Sequence, residues 1–271
     1  LMAPRGIVAA AVTAIFSLEF AHAIDEGRMS KDLEPLSHQM VPLVFIVIVG
    51  TVAFYGILSA PVARRLGLAT KNPRGVLFAG AGQWVRLIAK ALKDDGHDVL
   101  LLDTNYNNIA RAKLEGLPAV RANILSEYVE DELELTGLGQ LITTTPNDEV
   151  NSLAAHHFIH VFGSQNVWQV APIDDDDHHQ TAVASHMRGR ICFPSRPQFK
   201  MLERFVAEGA VIKKTTITEQ FTLEDFKEMY GEEHILLFRV TEDKGLEVAY
   251  DKMRNPSPGT TLYAMIKAQN T

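Results

Sequence analysis

The chain has 271 residues, 46% of them hydrophobic and 22% charged, and a formal net charge of −7. That acid excess excludes nucleic acid as the main partner, because phosphate binding needs Lys and Arg concentrated on one face. A single cysteine, Cys192, excludes an internal disulfide and a Cys-x-x-Cys motif, which fits a reducing, cytosol-facing compartment.

The averages conceal two solvents, because the apolar residues gather at the N-terminal end and the charges in the remainder. The chain begins at Leu1 inside an apolar run that reaches Ile24, so a preceding segment is expected. A signal peptide, with Arg5 as its basic region and Gly6 to Leu18 as its apolar region, is the alternative, but it gives no reason for a second apolar run. From Pro42 to Ala63 there is no Asp, Glu, Lys, Arg or His. At about 1.5 Å per residue this run covers a hydrocarbon core of about 30 Å, and it is predicted to be a transmembrane helix. Gly50, Gly56 and Ser59 are small enough to let another helix approach closely. Gly6 to Ile24 carries Glu19 and is a weaker span that needs helical neighbours. Arg5, Arg64, Arg65, Lys71 and Arg74 flank the two spans, whereas the loop between them carries both signs. The positive-inside bias puts both ends in the cytoplasm and the loop outside. Arg5 itself reads as a cytoplasmic-end anchor or as an interior charge partner.

Within this half, Met2 to Val12 (MAPRGIVAAAV) resembles the late-helix signature of the bacterial cation:proton antiporters of the sodium/proton exchanger superfamily, and Gly56 to Leu68 resembles the end of their last membrane helix. The resemblance implies that Arg5 lies among core helices, holding helix ends or a carboxylate. It implies ion-carrying acids on helices upstream of the signature, with monovalent cations and protons as substrates. It further implies a multi-pass protein of the plasma membrane, in contact with lipid, that forms a homodimer.

The second half opens with a short β-branched and aromatic run, VLFAG, followed by the turn Gly80-Ala81-Gly82 and the amphipathic run QWVRLIAKALKDDG. These read as strand, turn and helix, with Gly96 as the stop. A second strand, HDVLLLDTN, ends in Asp103, 21 positions after Gly82. That spacing places an acid where an NAD-like ligand carries its ribose hydroxyls, while the glycines admit the pyrophosphate to the helix N-terminus. Val85 stands where the third glycine of G-x-G-x-x-G is expected, which predicts a helix set further from the sheet. The alternation continues with a helix over 107–117, a strand over 118–125, a helix over 126–139, a strand over 140–148, a helix over 149–163 and a strand over 166–172. Such units build a doubly wound parallel sheet with its ligand at the strand C-termini. The candidate cofactor-binding residues are Gly80, Ala81, Gly82, Gln83, Asp103, Thr104, Asn123, Thr144 and Thr145.

TTTPNDEVNSLAA, taken with Gly80, Gly82 and Asp103, is similar to the regulator-of-potassium-conductance (RCK) domains over about residues 74 to 172. This resemblance implies NAD(H) or an adenine nucleotide as a regulatory ligand. The acidic run Asp174 to His179 reads as a solvated linker. His156 and His160, one helical turn apart, lack a third ligand, so no metal is assigned. From Arg188 onward a strand (GRICFPS), a helix (196–210) and further strands predict a small α+β domain, and Pro256 to Ile266 resembles the end of the RCK C-terminal subdomain.

The expected fold is thus a membrane α-helical segment of two helices (1–68), an α/β doubly wound Rossmann-like domain (69–172), a linker (173–187) and a small α+β domain (188–271). The expected function is antiport of Na⁺ or K⁺ against H⁺ under control of a nucleotide sensor. The expected protein is a secondary transporter rather than an enzyme, with Ala60 to Pro73 as a lever. A membrane-tethered NAD-dependent oxidoreductase and an RCK-gated potassium channel are the alternatives.

Overall fold

The computed structural model describes residues 6–65, 74–173, 184, 187–231, 234–241 and 245–267, and the chain divides into two compact units, 1–71 and 72–271. Arg5, residues 66–73 of the expected lever and the Asp174–His179 run lie outside the described residues.

The first unit contains α1 (Gly6–Asp25), a 3-10 turn (Lys31–Leu33) and α2 (Glu34–Arg65). Both helices are long and apolar enough to cross a membrane, by length and composition. Their apolar side chains point outward, with Leu18 73% and Ile57 74% exposed. The hydroxyls of Thr13 and Thr51 donate to carbonyls of their own helix, at Ala9 and Val47, so their polarity is satisfied without water. Helix α2 starts about two turns before the charge-free run, which leaves Pro42 inside it rather than at its start. The close approach between the two helices falls at Gly6, where a β-carbon would lie 2.6 Å from Ile48 Cγ2. Among the described residues a β-carbon on Gly50 or Gly56 would meet nothing within 4 Å, so those predicted contact sites are not seen to join α1 to α2.

The second unit starts with β1 (Gly75–Ala79), α3 (Gln83–Asp94), β2 (Val99–Asp103), α4 (Tyr106–Leu114) and β3 (Ala119–Arg121). It continues with β4 (Leu138–Thr143), α5 (Asp148–Phe162), β5 (Val167–Gln169) and β6 (Arg190–Ile191). These strands form one parallel sheet in the order β3-β2-β1-β4-β5-β6. Both faces are covered, so β1 is apolar throughout: Val76 and Phe78 face the α3 side, and Leu77 and Ala79 face the α5 side.

Two expectations need correction here. Residues 126–139 do not form a helix, and a single π-type turn (Tyr128–Glu132) stands in their place. Glu127, Glu130, Asp131 and Glu134 recur three and four positions apart, where like charges oppose a helix. Val129, fully buried, pins the turn to the core. The expected boundary at 188 also fails, because β6 pairs with β5 and extends the parallel sheet.

The remainder comprises α6 (Phe199–Ala207), β7 (Val211–Thr216), α7 (Leu223–Tyr230), β8 (His234–Thr241), β9 (Gly245–Val248) and β10 (Thr261–Ile266). A Thr222–Asp225 capping box starts α7. The strands form an antiparallel sheet in the order β7-β10-β8-β9. One face of it joins the α3-side core through Leu237, Phe238 and Met265, alongside Leu202 and Phe205 of α6. Its other face packs Ala264 and Ile266 against Phe226 of α7.

Polar bonds close the seam between the two sheets. Gln140 Nε2 donates to the Leu246 carbonyl at 2.6 Å. Just past α3, the Asp95 carboxylate accepts from Tyr263 Oη at 2.6 Å and from Lys214 Nζ at 2.7 Å, with the His97 ring edge-on to Tyr263. Burial pushes the Asp95 carboxyl up, but the bonds from Lys214 and Tyr263 outweigh it and hold the group below 3.8. Burial holds His97 below 6.5. Both shifts favour the deprotonated form in the folded state. The stability they contribute is therefore present at neutral pH and is lost as pH falls, first through the His97 range and then through that of Asp95. Tyr263→Phe is expected to lower the unfolding free energy at neutral pH by about 1.5–3 kcal/mol. It should also flatten the loss of stability at the acid end, both measured by urea denaturation across pH.

Candidate functional site

The C-terminal edge of the parallel sheet is built around the turn that follows β1. Gly80 has φ +132, and a β-carbon there would lie 2.6 Å from Thr144 Oγ1 and 2.7 Å from the Thr144 carbonyl oxygen. No L side chain fits that backbone or that space. The close approach exists because Thr144 donates twice to the Ala79 carbonyl, from its N–H at 2.8 Å and its hydroxyl at 3.0 Å. The loops after β1 and β4 are thereby laced together.

The turn is also tied to β2. Gly80 N–H donates to the Leu102 carbonyl at 2.7 Å, and Ala81 N–H donates to Asp103 Oδ2 at 2.9 Å. Asp103 Oδ2 also accepts from Asn108 Nδ2 at 2.9 Å, and Oδ1 accepts from Asn105 N–H at 2.8 Å. A carboxylate offers about four acceptor positions, so one remains for a ligand hydroxyl. Arg86, 5% exposed, donates to the Ala81 carbonyl at 2.8 Å and to Glu115 at 2.9 Å. This side chain buttresses the turn from behind.

Gly82 caps α3 without a side-chain bond, so the first N–H groups of the helix face the adjoining space and favour an anion there. A β-carbon on Gly82 would meet only Trp84 at 3.9 Å and Phe199 at 4.0 Å. Across the opening, Thr145 and Asn151 fix the loop after β4: Thr145 N–H and Oγ1 donate to Asn151 Oδ1 at 2.9 and 2.8 Å, and Asn151 Nδ2 donates back to the Thr145 carbonyl. Asn123 is locked by Leu125 N–H, which donates to its Oδ1 at 3.1 Å.

These walls enclose a cavity of about 780 Å³. Of the residues selected by spacing, Gly80, Gly82, Gln83, Asp103, Thr104, Asn123, Thr144 and Thr145 line it. Ala81 does not, and its side chain is fully buried. Sequence reasoning missed Arg86, Asn108, Arg111, Phe199 and Glu203, which also line it. Asn108 and Arg111 follow Asp103 closely enough for a helix after β2 to have suggested them. Phe199 and Glu203 arrive from α6, with no local signal in the turn. Val85 is fully buried in the α3-side core, so the residue in the third glycine position packs as a core side chain.

His157 lies 3.1 Å from Glu130, and His160 lies 3.8 Å from the same carboxylate. Among the described residues no group of three or more His, Cys, Asp or Glu is placed to hold a metal.

The two glycines of the turn should respond differently to substitution. Gly80→Ala is expected to cost at least about 1–3 kcal/mol, from backbone strain alone. Gly82→Ala should cost below about 1 kcal/mol, and thermal melts of the two variants distinguish them.

No curated protein matches the chain. Among solved structures, the NAD(P)-binding domain of an exopolyphosphatase-related protein from Archaeoglobus fulgidus is 20% identical, with 41% of this chain and 84% of that chain covered and a TM-score of 0.34. The GsuK channel bound to NAD is 13% identical, with 93% of this chain and 50% of that chain covered and a TM-score of 0.36. The GsuK RCK domain is 12% identical, with 71% and 44% covered and a TM-score of 0.34. The chain therefore spans about half the length of the channel. The TrkA-N domain family matches residues 76–186, which takes in the whole glycine turn, Asp103 and the Thr144–Asn151 loop. This part of the chain thus matches the TrkA-N domain family and carries it on a Rossmann-like parallel sheet.

Proposed function

We propose that the chain is the nucleotide-sensing end of a monovalent cation:proton antiporter that exchanges Na⁺ or K⁺ against H⁺. The observation that carries the reading is the cavity at the Gly80–Gly82 turn of a TrkA-N domain, in the same chain as two outward-facing apolar helices. TrkA-N and RCK domains are typical of the regulatory parts of potassium channels and transport systems, and the antiporter-like signature in the first 68 residues selects the transporter over the channel.

The cavity suits NAD(H) or an adenine nucleotide. Gly82 leaves room for a pyrophosphate at the start of α3, and the remaining acceptor position of Asp103 suits a ribose hydroxyl. Arg111 adds a cation at the rim. The residues of this chain bind and orient the nucleotide, and nothing in the reading asks for chemistry on it. Regulation requires that the nucleotide bind two conformations of the transporter unequally, because a ligand shifts an equilibrium only by its difference in affinity. In this reading α1 and α2 lie in the plasma membrane, the TrkA-N domain faces the cytoplasm, and the protein acts as a homodimer.

Calorimetry on the full chain in detergent solution, against NAD⁺, NADH, AMP and ATP, tests the sensor. Saturable binding of at least one nucleotide is expected, weakened at least about tenfold by Gly82→Ala, whose methyl takes the space of a phosphoryl contact. Absence of saturable binding to all four overturns the sensor reading.

A further inference from the structure

The first turn of α3 holds a donor without a use. Trp84 is fully buried, and its indole Nε1 has no hydrogen-bond partner. Buried donors are almost always paired, because an unmade bond costs the desolvation of the group. The polar edge of this indole is turned toward the second glycine: a β-carbon on Gly82 would lie 3.9 Å from both Cδ1 and Nε1 of Trp84. The same point lies 4.0 Å from Cζ of Phe199. Phe199 begins α6, meets the indole edge-to-face with centroids 6.1 Å apart, and lines the cavity. A pyrophosphate approaches a dinucleotide-binding turn from the open side of this glycine. That side is bounded here by an indole N–H in need of an acceptor and by a phenyl ring from a distant part of the chain.

We propose that Trp84 is a nucleotide-binding residue, its indole N–H donating to a phosphoryl oxygen once Phe199 turns away from Gly82. The proposal rests on the sensor reading above. An indole can only donate, so its partner must be an acceptor. Among the described residues none reaches it, and the first N–H groups of α3 draw an anionic oxygen to the same place. Phe199 seals the N–H in the structure as it stands, and its withdrawal disturbs the start of α6. Leu202, Phe205 and Val206 of that helix sit in the core shared with the antiparallel sheet. Occupancy of the cavity is thereby communicated to the C-terminal part of the unit.

Three variants of the full chain, titrated with NAD⁺, NADH, AMP and ATP, test this. Trp84→Phe keeps an aromatic ring and removes the N–H, and it should bind about tenfold more weakly, with a lowered thermal midpoint because the smaller ring leaves space in the core. Phe199→Leu leaves Trp84 in place and should bind several-fold more tightly. Trp168→Phe leaves Trp84 as the sole tryptophan, and its emission should shift on saturation. Trp84→Phe binding within twofold of the parent overturns the proposal, as does Phe199→Leu binding equally or more weakly, or an unchanged emission. If Trp84→Phe does not fold, Phe199→Leu and the emission decide. A parent that binds none of the four removes the sensor reading and this proposal together, whereas a parent that binds with Trp84→Phe its equal removes this proposal alone.

Discussion

The burial of α3 on two sides is the constraint on which the C-terminal unit depends. Trp84, Val85, Ile88, Ala89 and Leu92 are all withdrawn from solvent. They share one core with the parallel sheet and with residues of α6 and the antiparallel sheet. A helix so enclosed cannot shift without disturbing both sheets, because close-packed interiors transmit displacement rather than absorb it. Its two ends are also held. The start is fixed by Arg86 and by the Ala81–Asp103 bond, and just past its end Asp95 is held by Tyr263 and Lys214. The cavity at one end and the clamp at the other thus sit on a single rigid element.

The N-terminal unit obeys the opposite rule. Its helices turn Leu18, Phe45, Ile46 and Ile57 outward, an arrangement that water penalises and lipid does not. Hydroxyls folded back onto their own helix belong to the same logic. Among the described residues nothing lies within 4 Å of a β-carbon placed on Gly50 or Gly56, which leaves those faces open to further helices. A composition averaged over the whole chain describes neither unit.

Spacing made the Gly80–Gly82 turn legible. Gly80 and Asp103 were recoverable because a positive-φ glycine and an acid after the next strand are local requirements of one βαβ unit. The role of Asp103 was only half legible: the carboxylate holds the turn itself through Ala81 as well as offering an acceptor to a ligand. Helical spacing misled over 126–139, where the apolar residues recur at plausible intervals but the acids among them do not tolerate a helix. The place of β6 was also hidden, because two residues carry too little pattern to say which sheet they join. Phe199 and Glu203 were out of reach for a different reason. They meet the turn only because α6 folds back over α3, a tertiary event with no signature near residue 80.

Cys192 gives this architecture a chemical consequence. It follows β6, is fully buried in the shared core, and is held by its own N–H donating to the Gln169 carbonyl at 2.9 Å. Burial pushes its thiol well above the usual range, so in the closed protein it is a protonated thiol hidden from reagents. It is also the single thiol of the chain. Any alkylation therefore reports an opening of the seam between the two sheets, and the rate of that reaction measures how often the seam parts, without a label having to be introduced.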